Sequence, residues 1–418
     1  MRIIFGAQAC GFGPVSKMVS LAKEFNTNDK IFIGNDVSFQ FVNRQKALFS
    51  QTIDRNKSKL NIINKAIKES SCGVVVMDHD LAFHFYLSQK RYYFIDSLFG
   101  FWYSRKNENT LARIFSSFSE MNQKDKVKNY NLLKVHEQKL FAHFYSEMSF
   151  IQNFFGVRNR ISRLAQLGFI NLLDVNPIVD NYNGQEYLNS YNGEMLINLG
   201  GIENFLVDSD TAAYLKLIEK LSLDLISLPY VTKIYVCSGS YKNPKSQTIN
   251  GKKINFIFAD KVFFHKLVNA AQFYLSSPGL TAFYEALYYK HPTIYLPEQH
   301  ASQYYNINHI KKTWLKPYCL TLFDVIGEKK ISPNDFRGSS QIVKYISKIL
   351  NNNNLYNKFR DNLCKKIEMV RKVDLKTYQQ QCTTTINQLT VSASYVDIVN
   401  IINKNEQNYE QERRIEKN

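Results

Sequence analysis

Short apolar runs that end at a glycine or an aspartate recur along the first half of the chain, and segments with helical spacing lie between them. Buried parallel strands give such runs because helices cover both faces of their sheet. Strands that alternate with helices are typical of a doubly wound α/β fold. The runs are Arg2–Phe5, Ile31–Ile33, Gly73–Met77 and Arg91–Ile95.

Two segments of the first half are predicted to be helical. Pro14 is tolerated in the first turn of a helix. The apolar residues that follow it, Val15, Met18 and Ala22, recur at helical spacing, which predicts a helix with one face on a sheet. The segment from about Thr110 to Phe155 is also predicted to be largely helical by its pattern.

The alternation of strands and helices restarts in the second half of the chain. Between Asp180 and Gly193 the sequence DNYNGQEYLNSYNG has no periodicity and is rich in turn-forming residues, which indicates a domain boundary. We therefore predict two facing Rossmann-like domains, at residues 1–182 and 183–350. A helical extension with a frayed tail follows at 351–418, and its helix is expected to return to the first domain. The apolar runs of the second half are Met195–Leu199, Lys233–Cys237, Ile254–Phe258, Ala271–Leu275 and Thr293–Leu296.

The formal net charge of +17 is the main feature of the composition. A charge of this size suits a polyanionic partner such as nucleic acid, an anionic membrane surface or a phosphorylated substrate. The chain is rich in Asn, Lys, Ile and Tyr throughout its length, a bias that AT-rich coding can produce. Because the lysines follow from this general bias, we interpret the charge as a basic surface without a dedicated nucleic-acid role.

The cysteines and the N-terminus bear on the compartment. Six cysteines lie far apart without a Cys-x-x-Cys pair, which argues against a zinc site and a disulfide framework and favours a reducing environment. The N-terminus lacks the charge and length of a secretion signal, and no apolar stretch approaches the roughly 20 residues that span a bilayer. A cytoplasmic protein is expected.

The strongest functional signal is the segment from Ser276 to Ile310. An apolar strand meets the small-residue turn Ser276–Gly279, and a helix begins near Leu280. The first N–H groups of a helix lack internal partners and carry positive potential, so Ser277, Gly279 and Leu280 would cradle a diphosphate. The carboxylate of Glu285 is placed to accept two ribose hydroxyls. The amides of Gln303 and Asn306 are spaced to meet sugar hydroxyls.

This segment resembles the donor-binding segment of GT-B glycosyltransferases. The likeness is closest to the group that contains the UDP-glycosyltransferases and the lipid-linked N-acetylglucosaminyltransferase of peptidoglycan synthesis. It implies that the helix N-terminus faces the diphosphate, that Glu285 holds the ribose, and that Gln303 reaches the donor sugar. The hydroxyl of Thr281 lies closer to the glycine than in that family, so its contact with phosphate stays open. The matching residues are Gly279, Glu285, Ala286, Leu287, Pro292, Pro297, Gln303 and Asn306.

Three further loops carry candidate donor-binding residues. Gly11 and Gly13 form a glycine loop after the first strand, which in the same family closes over the diphosphate and often ends in a histidine base. Here Pro14 takes that place, so a catalytic role is not carried over. In the second half, two loops resemble donor-facing loops of the fold. Their residues are Gly200 and Gly201 with Asn204, and Ser238 and Gly239 with Ser240.

Asp78 and Asp96 are the candidate catalytic bases. Each follows an apolar strand, and carboxylates at the carboxyl end of a parallel strand face the crevice where ligands bind. An inverting sugar transfer needs a group that accepts the acceptor's proton. Two other roles stay open for Asp78 and Asp80: capping of a helix, and the metal-binding Asp-x-Asp signature of GT-A transferases, which also occurs at Asp208 and Asp210.

The remaining aromatic and histidine candidates point mainly to packing. The Phe99–Trp102 cluster, followed by basic residues, is interpreted as core, with an acceptor rim or a membrane-touching patch as alternatives. His136 and His143 lie seven residues apart on a predicted helix without a third metal ligand at suitable spacing, and they are interpreted as surface or packing residues.

The sequence thus predicts a metal-independent glycosyltransferase without a cofactor. Its donor, a UDP- or dTDP-linked sugar, is expected in the second domain. Its acceptor, a small molecule, a glycan or a lipid-linked molecule, is expected in the first, with peripheral membrane contact as an open question. Two alternatives remain: a nucleotide-sugar epimerase or hydrolase of the same fold, and a non-catalytic basic protein associated with nucleic acid.

Overall fold

A computed structural model describes residues 1–43, 46–179, 192–201, 211–241, 243–327 and 330–415. The chain divides into two compact units, one formed by Met1–Asp180 together with Leu389–Asn418, the other by Asn181–Gln388. The segment that the sequence set apart as a helical extension is therefore shared between the two units. No helix in the described part of the chain is long and apolar enough to cross a membrane.

The first unit contains a parallel sheet, which across its described residues has seven strands in the order β3-β2-β1-β4-β5-β6-β7. The strand order reverses between β1 and β4, and in open α/β sheets such a switch point opens a crevice at the carboxyl ends of the strands. The strands are β1 Ile3–Ala7, β2 Lys30–Gly34, β3 Gln51–Asp54, β4 Cys72–Val76, β5 Tyr92–Asp96, β6 Met148–Gln152 and β7 Leu172–Val175.

Helices cover the first sheet. The apolar face predicted behind Pro14 is buried along α1, with Val15, Met18 and Ala22 inaccessible to solvent. The segment predicted to be largely helical also contains β6, which is a correction to the sequence prediction. The helices are α1 Gly13–Glu24, α2 Asp36–Asn43, α3 Leu60–Glu69, α4 His79–Leu87, α5 Glu108–Ser117, α6 Gln123–Leu132, α7 Val135–Tyr145 and α8 Val157–Ala165.

The second unit contains another sheet, with six strands among its described residues, in the order β10-β11-β9-β8-β12-β13. Here the switch point lies between β8 and β12. The predicted strands pair in parallel, while β10 forms an unpredicted antiparallel hairpin with β11 through Asn250 and Gly251, both at positive φ. The strands are β8 Glu194–Asn198, β9 Lys233–Cys237, β10 Lys245–Ile249, β11 Lys252–Ile257, β12 Phe273–Ser276 and β13 Thr293–Tyr295.

Helices also cover the second sheet, and the core lies between the two layers. Leu217 and Leu221 of helix α9 (Thr211–Leu225) share this core with Leu275 of β12. Ile342 and Ile346 of helix α14 (Asp335–Leu350) belong to the same core. The fold class predicted from the sequence, two Rossmann-like α/β domains with mainly parallel sheets, is confirmed. The helices are α9 Thr211–Leu225, α10 Lys261–Ala270, α11 Leu280–Tyr289, α12 Ala301–Ile310, α13 Leu322–Ile326, α14 Asp335–Leu350, α15 Asn353–Arg371 and α16 Leu375–Leu389.

The last helix, α17 (Tyr395–Ile415), belongs to the first unit. Glu406 on this helix is buried, accepts a hydrogen bond from the Tyr93 hydroxyl at 2.9 Å and pairs with the Arg91 guanidinium at 2.6 Å. The Arg91 guanidinium also lies 3.5 Å from the centre of the Tyr409 ring. The C-terminal helix thus returns to the first domain, as expected from the sequence, through an ion pair with Arg91, just before β5, and a hydrogen bond from Tyr93 of β5.

Replacement of Glu406 by alanine is expected to destabilise the first unit. The change leaves the Arg91 charge and the Tyr93 hydroxyl without their partner, which costs about 2–4 kcal/mol for a largely buried pair. Urea unfolding followed by circular dichroism measures the loss. Glu410→Ala, which removes an exposed acid from the same helix, is the control, and an equal effect of the two variants would contradict the anchoring role.

Candidate functional site

The turn between β12 and α11 lies at the switch point of the second sheet. Gly279 is the N-cap of α11, with φ −70° and ψ 143°, and it has no side chain to cap the helix. A Cβ atom built on Gly279 would meet no other atom of the described residues within 4 Å, so among these residues open space lies beside the first turn of α11. Leu280 is buried and Thr281 is half-buried. The predicted strand, small-residue turn and helix are therefore present.

Asn198, the last residue of β8, connects this turn to the neighbouring loops. Its side-chain amide donates to the Tyr274 hydroxyl at 3.1 Å, and its side-chain oxygen accepts from the Gly200 N–H at 3.0 Å. Its backbone carbonyl accepts from the Ser277 N–H at 2.8 Å. The loops after β8 and β12 are thus held side by side at the switch point.

The candidate loop after β9 joins the same assembly. The Gly239 N–H donates to the Gly200 carbonyl at 3.0 Å. The Ser238 hydroxyl is buried and accepts from the Ser240 N–H at 3.1 Å. Gly200 has φ +65°, a left-handed conformation that favours glycine, and Gly201 continues its turn. The structure therefore brings together four of the predicted loop positions, namely Gly200, Gly239, Ser277 and Gly279.

Gln303 and Asn306 lie on α12 and fix this assembly from the other side. The Asn306 amide donates to the Pro278 carbonyl at 3.1 Å, and the Gln303 side-chain oxygen accepts from the Gln299 N–H at 2.9 Å. Gln299 in turn donates to the Leu199 carbonyl at 3.2 Å. Both predicted amides are buried and hold backbone groups, and their contact with a sugar stays a prediction.

Glu285 lies on α11 and is half-buried. Burial raises the pKa of the Tyr274 hydroxyl, and the negative charge of Glu285 raises it further. The predicted role of Glu285 as a ribose ligand stays a prediction. Its position on the same helix as the open N-terminus is the one that the sequence indicated.

Glu298 was missed by sequence reasoning. It follows Pro297 directly after β13 and is fully buried, and neither carboxyl oxygen has a hydrogen-bond partner among the described residues. Burial raises the pKa of Glu298 to about 7, although the nearby Leu322 N–H and Lys311 favour its charged form. An acid after a strand-ending proline was the available signal, but its burial depends on α13, which is distant in sequence.

The stability of the second unit is expected to fall as the pH rises from about 4.5 to about 7. Because the folded state holds the Glu298 proton to a higher pH than the unfolded state does, deprotonation favours unfolding by about 3 kcal/mol over this range. Glu298→Gln should remove this part of the pH dependence, while Asp361→Asn, at an exposed acid of α15, should retain it. Parallel profiles for wild type and Glu298→Gln in urea unfolding would refute the assignment.

In the first unit, Asp78 is held by Arg55 and by a helix. Its carboxylate accepts from the Leu81 N–H at 3.1 Å and pairs with the Arg55 guanidinium at 3.0 Å. Burial alone would raise the pKa of Asp78, but Arg55 and the Leu81 N–H outweigh it and lower the pKa. The helix-capping alternative is therefore the role that the structure shows for this residue.

Asp96 is fully buried at the end of β5. It accepts hydrogen bonds from the Trp102 indole, from the Leu98 N–H at 2.7 Å and from the His143 ring at 2.8 Å. His143 also meets the Ser149 hydroxyl at 3.0 Å, which gives a buried Ser–His–Asp arrangement. A general base must touch its substrate, so Asp78 and Asp96 would first have to exchange their present partners. Their catalytic role stays a prediction.

The aromatic cluster and the two histidines are packing residues, as interpreted. Phe99, Phe101 and Trp102 are buried, so the membrane-touching alternative for this cluster is wrong. His143 is inaccessible, and the His136 ring accepts from the Tyr103 N–H at 3.0 Å.

The glycine loop of the first unit follows β1 at the other switch point. Gly11 has φ +68°, and a Cβ atom on Gly11 or Gly13 would meet no atom of the described residues within 4 Å. The Gln8 N–H donates to the Val76 carbonyl at 3.0 Å, which ties the start of the loop to β4. The predicted loop from strand to helix is present, and its contact with a diphosphate stays a prediction.

Lys139 on α7 is a second residue that sequence reasoning missed. Its fully buried ammonium donates to the Gln8 side chain and to the Met77 carbonyl and lies 5.0 Å from the centre of the Trp102 ring. Within the described residues no carboxylate lies at ion-pair distance, and burial lowers the pKa of Lys139. Its helical spacing from His136 and His143 was the available signal.

Asn204, Asp208 and Asp210 lie outside the described residues, as does most of the predicted boundary between Asp180 and Gly193. In the described ranges, no group of three His, Cys, Asp or Glu side chains is arranged to hold a metal ion.

The fold defines the class as a two-unit, Rossmann-like α/β protein with candidate loops at both switch points. No protein-family model matches the sequence, and no curated protein matches it. Among solved structures, the chain is similar to LpCGTa in complex with UDP, with a TM-score of 0.46, 9% identity, and coverage of 92% of this chain and 99% of that chain.

Two further solved structures show a similar likeness. One is the glycotransferase of kitacinnamycin, with a TM-score of 0.45, 8% identity, and coverage of 93% of this chain and 99% of that chain. The other is Arabidopsis thaliana UGT89C1 complexed with quercetin, with a TM-score of 0.44, 10% identity, and coverage of 92% of this chain and 99% of that chain. At such identities, the roles of individual residues depend on the geometry of this chain.

Proposed function

We propose that this protein is a glycosyltransferase that transfers a sugar from a nucleoside diphosphate sugar to an acceptor. The observation that carries the proposal is the open N-terminus of α11 at the switch point of the second sheet. There Gly279 leaves space beside backbone N–H groups, and Glu285 lies on the same helix. A helix N-terminus with open space is suited to a diphosphate, and a carboxylate on that helix is suited to a ribose.

The loops around this helix support the proposal because they are fixed without a ligand. Asn198 holds the Gly200 loop against Ser277, and Asn306 holds Pro278. A preformed cradle binds its ligand with a smaller loss of loop entropy. The second unit therefore has the features expected of a donor site.

In the proposed reaction, the sugar is transferred from the diphosphate to a hydroxyl of the acceptor. Negative charge develops on the departing nucleoside diphosphate. The positive end of α11 and its first N–H groups would stabilise that charge from fixed positions, and this stabilisation needs no metal ion. Gln303, behind the cradle, would position the donor sugar. We place the acceptor in the first unit, where Asp78 and Asp96 remain the proposed candidates for its base.

The first test is ligand binding by the full chain. Nucleoside diphosphates and their sugars are compared by thermal shift, with UDP and dTDP forms expected to raise the melting temperature. At a ligand concentration of 100 times Kd, binding stabilises the folded state by about 2.7 kcal/mol. Gly279→Val is expected to fold normally, because its side chain enters open space in an extended backbone, but to lose the shift.

Glu285→Ala is expected to weaken nucleotide binding roughly tenfold or more through the lost ribose contact. Glu219→Ala, which removes an acid from α9 of the same unit, is the matched control and should bind as wild type does. Unchanged nucleotide affinity in Gly279→Val would rule out the cradle. If donor binding is retained and free sugar is released without an acceptor, the hydrolase alternative is correct.

A further inference from the structure

The loop that joins β13 to α12 contacts the candidate donor site. We call its residues 297–300 the α12 loop. The side-chain amide of Gln299 in this loop donates to the Leu199 carbonyl at 3.2 Å. That carbonyl belongs to the peptide unit between Leu199 and Gly200, and the N–H of the same unit donates to the Asn198 side chain at 3.0 Å. The peptide unit at the start of the Gly200 turn is therefore held at both ends.

Glu298 lies directly before Gln299 and is fully buried. Among the residues that the structure describes, neither of its carboxyl oxygens has a hydrogen-bond partner. A protonated carboxyl group can remain in such surroundings because it carries no charge. An ionised carboxylate without a partner is strongly unfavourable in a protein interior. The present position of the α12 loop therefore suits the neutral acid.

Within the described part of the chain, three ionisable side chains face Glu298 from the helices around it. The Tyr214 hydroxyl of α9 is already bonded to the carbonyl of the residue before Glu298, at 2.9 Å. Lys311 at the end of α12 attracts the carboxylate, whereas Asp324 of α13 repels it. These two side chains form an ion pair with each other at 3.2 Å. The cation of this set is therefore already paired, and the Leu322 N–H of α13 is a neutral donor.

Glu298 is the group of the α12 loop that changes charge near neutral pH. Burial is the largest cause, and it raises the pKa of Glu298 to about 7. His300 is the other ionisable residue of this loop, and burial lowers the pKa of its ring. The ring is therefore already neutral in the range where Glu298 loses its proton. A pH change through neutrality alters the charge of this loop at one position, which adjoins Gln299.

We propose that Glu298 is a positioning residue of the donor site, whose proton keeps the α12 loop packed and Gln299 on the Leu199 carbonyl. When the proton is lost to solvent, the carboxylate moves towards water, the loop shifts with it, and the Gly200 turn loses one of its two supports. Local movement relieves the buried charge at a smaller cost than global unfolding. Donor affinity therefore falls as the pH rises through neutrality. This inference rests on the proposed function, because it takes the Gly200 turn as part of the donor site.

The first test needs no ligand. Hydrogen exchange of the full chain is followed by mass spectrometry at pH 6 and pH 8, and each rate is divided by the intrinsic rate at that pH. The Gln299 N–H, which donates to the Gln303 side chain, reports on the loop. Its corrected exchange in the wild type is expected to be about tenfold faster at pH 8, because Glu298 is about one tenth ionised at pH 6 and about nine tenths ionised at pH 8.

Glu298→Gln is uncharged at both pH values, and its corrected exchange should change by less than about twofold. Asp361→Asn removes an exposed acid from α15 of the same unit and is the matched control, which should behave as wild type does. Should Glu298→Gln fail to fold, Glu298→Met, which is also uncharged, replaces it.

The second test is titration calorimetry with UDP at the same two pH values. The apparent Kd equals the intrinsic Kd divided by the fraction of protein with the loop in place. Relative to Glu298→Gln, the Kd of the wild type should therefore rise about tenfold from pH 6 to pH 8. This ratio removes the pH dependence of UDP itself, whose terminal phosphate gains charge near the lower end of this range in both measurements.

The two tests separate this inference from the proposed function. Equal corrected exchange in wild type and Glu298→Gln would overturn the role of Glu298, and this is also the result if Lys311 neutralises the carboxylate in place. Exchange that depends on pH while the UDP affinity does not would overturn it as well, because the loop would then move without affecting the donor. If the exchange differs but UDP binds at neither pH, the proposed function is overturned and the link to the donor fails with it.

Discussion

The carboxamide of Asn198 is the interaction on which the candidate site depends. It ends the central strand of the second sheet at the switch point, and it holds the loop that follows β8 against the strand that precedes α11. Other hydrogen bonds also hold these turns, from the Ser277 N–H to the Asn198 backbone carbonyl, from the Gly239 N–H to the Gly200 carbonyl and from the Asn306 amide to the Pro278 carbonyl. The buried carboxamide of Asn198 adds two side-chain hydrogen bonds to this network and ties the Gly200 turn to Tyr274 of β12.

The two switch points differ in how their space is used. In the first sheet, Lys139 bridges the loop after β1 and the end of β4, and Arg55 neutralises Asp78. Glycines with space beside them among the described residues lie at both switch points, at Gly11 and Gly13 in the first unit and at Gly279 in the second. The two switch points differ in their buried charges, because in the first unit Arg55 and Asp78 neutralise each other and Lys139 is held by an amide oxygen and a carbonyl oxygen.

The sequence predicted the elements whose signals are local. The strand before Ser276, the turn at Gly279 and the helix from Leu280 all lie within one short segment, and the structure contains them as predicted. The polar edge strand Lys245–Ile249 was missed because it has no buried face and therefore no apolar run. The strand Met148–Gln152 was missed because its apolar residues continue a helical pattern.

The partners of the buried polar groups were beyond the reach of sequence reasoning. Asp96 meets His143, Glu298 lies against α13, and Lys139 contacts Gln8, each across a long stretch of chain. A carboxylate after a strand looks the same in sequence whether it faces a ligand or a histidine. Only the packing of helices onto the sheet decides between these two environments, and that packing is a tertiary property.

The return of α17 to the first unit has a consequence for biosynthesis. The helix that carries Glu406 leaves the ribosome only after the whole second unit has been made, while the Arg91 and Tyr93 that receive it emerge early. Domains generally fold as units during synthesis, from the N-terminus onward. Here the second unit has all its residues first, and the nascent first unit must wait, with an unneutralised arginine just before β5, until α17 has been made.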